Sequence, residues 1–169
     1  MRALHWVMAA LIVVNLTLAW LMTPYAEDKP WVDELYYLHK SLGITLLGLI
    51  VLRVLVRRAA QVPPLAAGLP LVERRLAHSA HRTLYLLMLL VPLLGYLESS
   101  AYVGGAGVPW FGLNLPQLIP DDEQVFDIAN WLHRTLGYGL LALVFLHVAG
   151  VVKHRFFDAA EHDSLRRML

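Results

Sequence analysis

Four apolar stretches set the terms for this chain: residues 4–22, 35–56, 76–97 and 128–152. Each is close to the ~20 residues that a helix needs to cross a ~30 Å hydrocarbon core. A segment in lipid must satisfy its own backbone polar groups, so all four are expected to be helices. With 58% hydrophobic and only 16% charged residues in 169, the apolar surplus exceeds what a soluble core of this size can bury. The expected fold is all-α: one four-transmembrane-helix bundle over residues 1–169. No small-residue cleavage site follows the first stretch, so it reads as a retained helix rather than a signal peptide.

The connections orient this bundle. If the spans alternate, Arg2, Arg57, Arg58, Arg74, Arg75, Lys153, Arg155, Arg166 and Arg167 fall on one side. Glu27, Asp28, Asp33, Glu34, Asp121, Asp122, Glu123 and Asp127 fall on the other. Basic residues mark the cytoplasmic side, so both termini are expected inside, in a bacterial inner membrane. The segment 57–75, with Pro63, Pro64, Gly68 and Pro70, reads as an inner loop. The Gly- and Pro-rich segment 99–127 reads as a long outer loop, with a helix cap at residues 121–124. Trp20, Trp31, Tyr36, Tyr37, Trp110 and Trp131 gather at the outer boundary, as interfacial aromatics do. Pro92 and Gly95 predict a kink in the third span. Membrane lipid is one expected partner; nucleic acid is not.

The chain has no cysteine. Disulfides, thiolate catalysis, iron–sulfur clusters and covalent attachment of haem are thereby excluded. It has eight histidines, a large number for so apolar a chain. His133 and His147 are fourteen residues apart on the fourth span, which returns them to within ~40° of the same helix face and separates them by ~21 Å. That separation suits two haems stacked across a bilayer, held only by axial ligands and packing. Ionisable groups within a span are costly and usually functional.

Each iron needs a second axial ligand. His39 lies level with His133 near the outer surface, and His5 lies level with His147 near the inner one. His81 is the rival to His5, because His81-Arg-Thr-Leu-Tyr85 repeats the pattern of His39-Lys-Ser-Leu-Gly43 and His133-Arg-Thr-Leu-Gly137. Gly43 and Gly137 would let a flat macrocycle approach the backbone, or would be small residues for helix packing. Arg53, fourteen residues after His39, is expected inside the bundle at the inner level, against a haem propionate. Lys40 and Arg134 adjoin the outer ligands. His78 and His81 share a face and are expected to flank the inner haem or a quinone. His154, seven residues after His147, is a candidate to deliver protons to a reduced quinone, while His162 has no assigned role.

Taken in order, these segments resemble the bacterial cytochrome b561 family over nearly the whole chain. They are Leu4-His5-Trp6, His39 to Gly43 with Arg53, His78-Ser-Ala-His81, Pro109-Trp-Phe-Gly112, Trp131-Leu-His133, Leu146-His147, His154-Arg-Phe-Phe157 and Leu165-Arg-Arg-Met-Leu169. The chain is similar, more distantly, to the four-helix cytochrome subunits of formate dehydrogenases and hydrogenases. The resemblance implies two b haems and quinone chemistry. One branch of the family takes electrons from superoxide at the outer face and reduces ubiquinone. On that reading Lys40 and Arg134 attract superoxide, against the outer carboxylates, while Trp110 and Phe111 cover the outer haem. The alternative is an electron-transfer subunit, in which quinol supplies electrons and residues 99–127 dock a periplasmic redox protein.

Overall fold

A computed structural model describes residues 2–23, 29–59, 70–158 and 165. Glu27, Asp28, Pro63, Pro64, Gly68, His162, Arg166, Arg167 and all but Leu165 of the closing segment lie outside the described residues. The elements are α1 (Arg2–Met22), α2 (Pro30–Ala59), α3 (Leu71–Ala101), β1 (Val108–Trp110), β2 (Leu113–Leu115) and α4 (Glu123–Phe156). Sequence neighbours pack together: α1 on α2, α2 on α3 and, most extensively, α3 on α4.

The helices α1, α3 and α4 are each long and apolar enough to cross a membrane. α2, 30 residues long, carries His39, Lys40, Ser41, Thr45 and Arg53 within its apolar stretch. Three of the helices outrun the stretches that announced them. α4 has 34 residues, about 51 Å at 1.5 Å per residue, against a ~30 Å hydrocarbon core. Its first turn is capped by Asp122, whose carboxylate accepts from the Val125 N–H at 3.0 Å. That is the cap anticipated at 121–124.

The buried core is small. Leu84, Leu87 and Val91 of α3 close on Leu140 of α4, with Met88, Leu136, Leu143 and Val144 around them. Met8, Ile12, Leu46 and Ile50 are buried between the other helices. By contrast Trp20 is 74% exposed and Phe145 72%. At ~25 cal/mol per Å², so much apolar surface turned outward is stable only in an apolar surround.

The 99–127 segment is not all loop, as its glycines and prolines suggested. β1 and β2 form an antiparallel hairpin closed by the Trp110–Leu113 pair. Its two turn residues, Phe111 and Gly112, have φ of 42° and 82°, the signs a type I′ turn requires. Gly107, at φ 103°, is irreplaceable for another reason: a Cβ there would lie 2.5 Å from the Leu115 carbonyl oxygen. The hairpin is fastened to α2 by a ladder of side chains one turn apart. Trp110 Nε1 donates to Thr45 Oγ1 (3.1 Å), the Phe111 N–H to Ser41 Oγ (3.2 Å) and the Gly112 N–H to Tyr37 Oη (2.6 Å).

Candidate functional site

Two clusters of histidines meet inside the bundle, one towards each end. At the end that the charge pattern predicts to be outer, His39 of α2 faces His133 of α4 with ring centroids 6.0 Å apart and planes at 82°. At the opposite end, His5 of α1 faces His147 of α4 at 6.5 Å and 72°. His81 of α3 also faces His147, at 5.4 Å. Helical periodicity thus brings together His5, His39, His133 and His147 as the sequence indicated.

The distances discriminate between partners. A metal–imidazole bond is about 2.0 Å, and a ring nitrogen lies about 1.1 Å from its centroid, so two imidazoles across one iron have centroids about 6.2 Å apart. The 6.0 and 6.5 Å pairs sit on either side of that value, while His81 is nearly an ångström too close to His147. The two spacings are those of paired imidazoles across one metal ion. They favour His5 over His81.

Hydrogen bonds decide which nitrogen each ring offers. His133 Nδ1 is 2.8 Å from the Val91 carbonyl oxygen, and His39 Nδ1 is 3.1 Å from that of Asn15. A carbonyl oxygen only accepts, so Nδ1 carries the proton in both rings and Nε2 keeps its lone pair for a metal. His133 has its place because residue 95 is glycine: a Cβ there would approach its Cε1 to 2.9 Å. Gly95 thus does more than allow the kink that it predicts with Pro92. A Cβ on Gly137 would meet no protein atom within 4 Å, so helix packing does not explain that glycine. On Gly43 it would touch only Asn15 Nδ2, at 3.8 Å. The neighbouring Asn15 Oδ1 is buried with no hydrogen-bond partner among the described residues, a polar atom that the sequence did not single out.

His5 is held differently. Arg53 Nη2 lies 3.0 Å from His5 Nδ1, and Arg53 Nε donates to Tyr85 Oη at 2.9 Å. A guanidinium has no lone pair, so here Nδ1 accepts and the ring proton sits on Nε2. Arg53 and Arg57 both lie over the Tyr85 ring, 5.6 and 5.4 Å from its centroid. Among the described residues neither arginine has a carboxylate within ion-pair distance. Tyr85 occupies, after His81, the place that glycine holds after His39 and His133. That substitution was the visible signal for its role.

The flanking groups sort by exposure. Lys40 is half-buried on α2 and close enough to Glu98 to feel its charge. Glu98 in turn accepts from Asn130 Nδ2 at 2.8 Å. Arg134 is exposed. Trp110 and Phe111 are tied to the α2 face of Tyr37, Ser41 and Thr45, while two residues of helix turn His39 about 200° away from Tyr37. His81 faces His147, whereas His78 lines an open cavity of about 330 Å³ with Arg75, Ser79, Arg82 and Thr83. His154 Nδ1 bonds Asp158 Oδ2 at 2.6 Å, and that hydrogen bond, with help from Lys153, holds the Asp158 carboxyl below the usual carboxylate range. The acidic 121–127 run is partly committed. Asp122 caps α4, and Asp121 accepts from the Gly104 N–H and Gln117.

Comparison with known proteins bears on this geometry. The family model described as prokaryotic cytochrome b561 matches residues 1–169. The chain is 33% identical to cytochrome b561 homolog 2 of Escherichia coli (strain K12) over 169 residues, covering 99% of this chain and 87% of that protein. It is 26% identical to the probable superoxide oxidase CybB of Yersinia pestis, over 98% of this chain and 91% of that one.

Proposed function

We propose, since this chain belongs to the prokaryotic cytochrome b561 family of b-haem electron-transfer membrane proteins, that it is a di-haem superoxide:ubiquinone oxidoreductase. It crosses the bacterial inner membrane four times, with both termini in the cytoplasm. The observation that carries the reading is the pair of histidine couples, 6.0 and 6.5 Å between centroids, at the two ends of one bundle. His39 and His133 hold the outer haem, and His5 and His147 the inner one. When bound, the two b haems supply one-electron carriers between the faces of the membrane.

The protein's own groups do the rest. Val91 and Asn15 orient the outer ligands through their carbonyls. Arg53 lacks an anion among the described residues, and a propionate is the acceptor that would draw it off His5 Nδ1. Gly43 and Gly137 keep side chains out of the space beside the outer ligands. Superoxide is a small anion, and positive charge at the outer mouth raises its local concentration. Arg134, exposed, suits that role better than Lys40, whose charge is offset by Glu98. Ubiquinone is reduced at the inner face near His154. Support for superoxide as the substrate comes from the name of the Yersinia pestis relative. The alternative, a subunit serving a periplasmic redox protein, loses ground because Asp121 and Asp122 are used in local structure.

Stopped-flow decay of superoxide with the purified, haem-loaded protein and a ubiquinone analogue tests the assignment. The expected result is decay well above spontaneous dismutation, with one quinol formed per two superoxide consumed. Decay no faster than dismutation rejects superoxide as the substrate.

A further inference from the structure

The inner end of α4 carries a polar network that haem binding leaves unexplained. Lys153 Nζ bonds Glu73 Oε1 of α3 at 2.9 Å and Asp158 Oδ2 at 3.3 Å. His154 Nδ1 bonds the same Asp158 oxygen at 2.6 Å, and both side chains are largely withdrawn from solvent, 21% and 18% exposed. One ligand atom each of Glu73, His154 and Asp158 lies within 4.8 Å of the others. A metal ion is not needed to hold these groups together, because the Lys153 ammonium already bonds both carboxylates.

The Asp158 carboxylate can only accept, so His154 Nδ1 carries a proton and Nε2 is the nitrogen left for exchange. His154 follows His147 by seven residues, which puts it within ~20° of the same face and ~10 Å further along the axis. A proton donor therefore stands one short step beyond the inner couple, at the membrane surface.

We propose that Asp158 is a positioning residue that fixes His154 as the proton donor to quinone, with Glu73 as the group that replenishes it from the inner aqueous phase. This rests on the quinone reading above and goes further, naming the residue that sets the imidazole. In the overall step two superoxide ions each lose one electron and become dioxygen. The quinone gains those two electrons, and its two carbonyl oxygens gain two protons. For each proton the Nε2–H bond of the doubly protonated His154 imidazolium breaks, a quinone O–H bond forms, and the ring, left neutral with its proton on Nδ1, is reprotonated on Nε2 from the inner side. The Asp158 carboxylate and Lys153 beside His154, and Glu73 facing them from α3, are the charged groups that set the local field.

The test is steady-state reduction of a water-soluble ubiquinone analogue by the full-length, haem-loaded protein with superoxide as the electron donor. Asp158→Asn is expected to lower kcat about tenfold and leave KM nearly unchanged, with Asp158→Glu restoring most of the loss. His154→Ala should lower kcat by about a hundredfold and be partly rescued by added imidazole. Wild-type kcat in Asp158→Asn, or a rise in KM alone, would overturn the role of Asp158. Should Asp158→Asn load haem poorly, the imidazole arm decides, and absence of rescue overturns the proposal. Unchanged quinone reduction in His154→Ala would instead remove the inner quinone site itself.

Discussion

The outer and inner histidine couples have nearly the same span and different readiness. In the outer couple each ring is turned by a backbone carbonyl from the neighbouring helix, Asn15 of α1 for His39 and Val91 of α3 for His133. Both Nε2 atoms are lone-pair donors before any metal arrives. In the inner couple His5 gives its Nδ1 lone pair to Arg53, and its proton is on the nitrogen that should ligate. On the proposed reading, iron binding there requires the guanidinium to move to another acceptor. The outer couple would then be organised by the fold alone, and the inner one completed by what binds. A backbone carbonyl cannot leave its helix, whereas an arginine side chain can swing.

The largest effect that can break this contrast is loss of a ligand. His133→Ala should remove one haem of two, and His5→Ala should remove the other, measured as haem per chain and as the reduced-minus-oxidised spectrum. His81→Ala should retain both; loss of a haem in His81→Ala alone would transfer the inner ligand to α3. Next comes Gly95→Ala. It would ordinarily strengthen a helix by roughly 1 kcal/mol, but its Cβ meets the His133 ring, so outer haem affinity should fall on the order of 10-fold with the inner site unchanged. Equal weakening of both sites would mean that Gly95 serves the bundle generally. Arg53→Gln removes a positive charge beside His5 and should lower the inner haem potential by on the order of 60 mV, a tenfold change in a one-electron equilibrium. Redox titration with the outer potential as internal reference measures it. The smallest change is expected from Phe111→Gly. Relief of a positive φ is worth about 1 kcal/mol to the hairpin, read as a small rise in thermal midpoint, with haem content untouched. A changed outer haem spectrum in this variant would tie the hairpin to the outer site after all.

Much of this contrast was legible in the sequence, and its limits have physical causes. Spacing alone placed His39 opposite His133 and His5 opposite His147, because a helix converts fourteen residues into nearly whole turns. It left His5 and His81 unresolved, because both lie at the inner level and only a distance separates them: 6.5 against 5.4 Å from His147. The groups that orient the outer rings were invisible, since Val91 and Asn15 act through carbonyls that every residue has. The helices run past the apolar stretches for a different reason. Hydropathy marks where lipid stops, and α4 continues to Phe156 through Lys153 and Arg155. The hairpin was hidden because its strands have three residues each and its turn places Phe111 where Asn or Gly would have announced it.

One feature of α4 has an evolutionary edge. Because a single rod carries both His133 and His147, the interval between them is a ruler cut in steps of 100°. A one-residue insertion or deletion between the two would swing one ligand to the wrong side of the helix. The segment can be repainted with other apolar residues but not trimmed or lengthened. A thinner or thicker bilayer must then be met by tilt, or by the loops, while the distance between the two histidines stays constant.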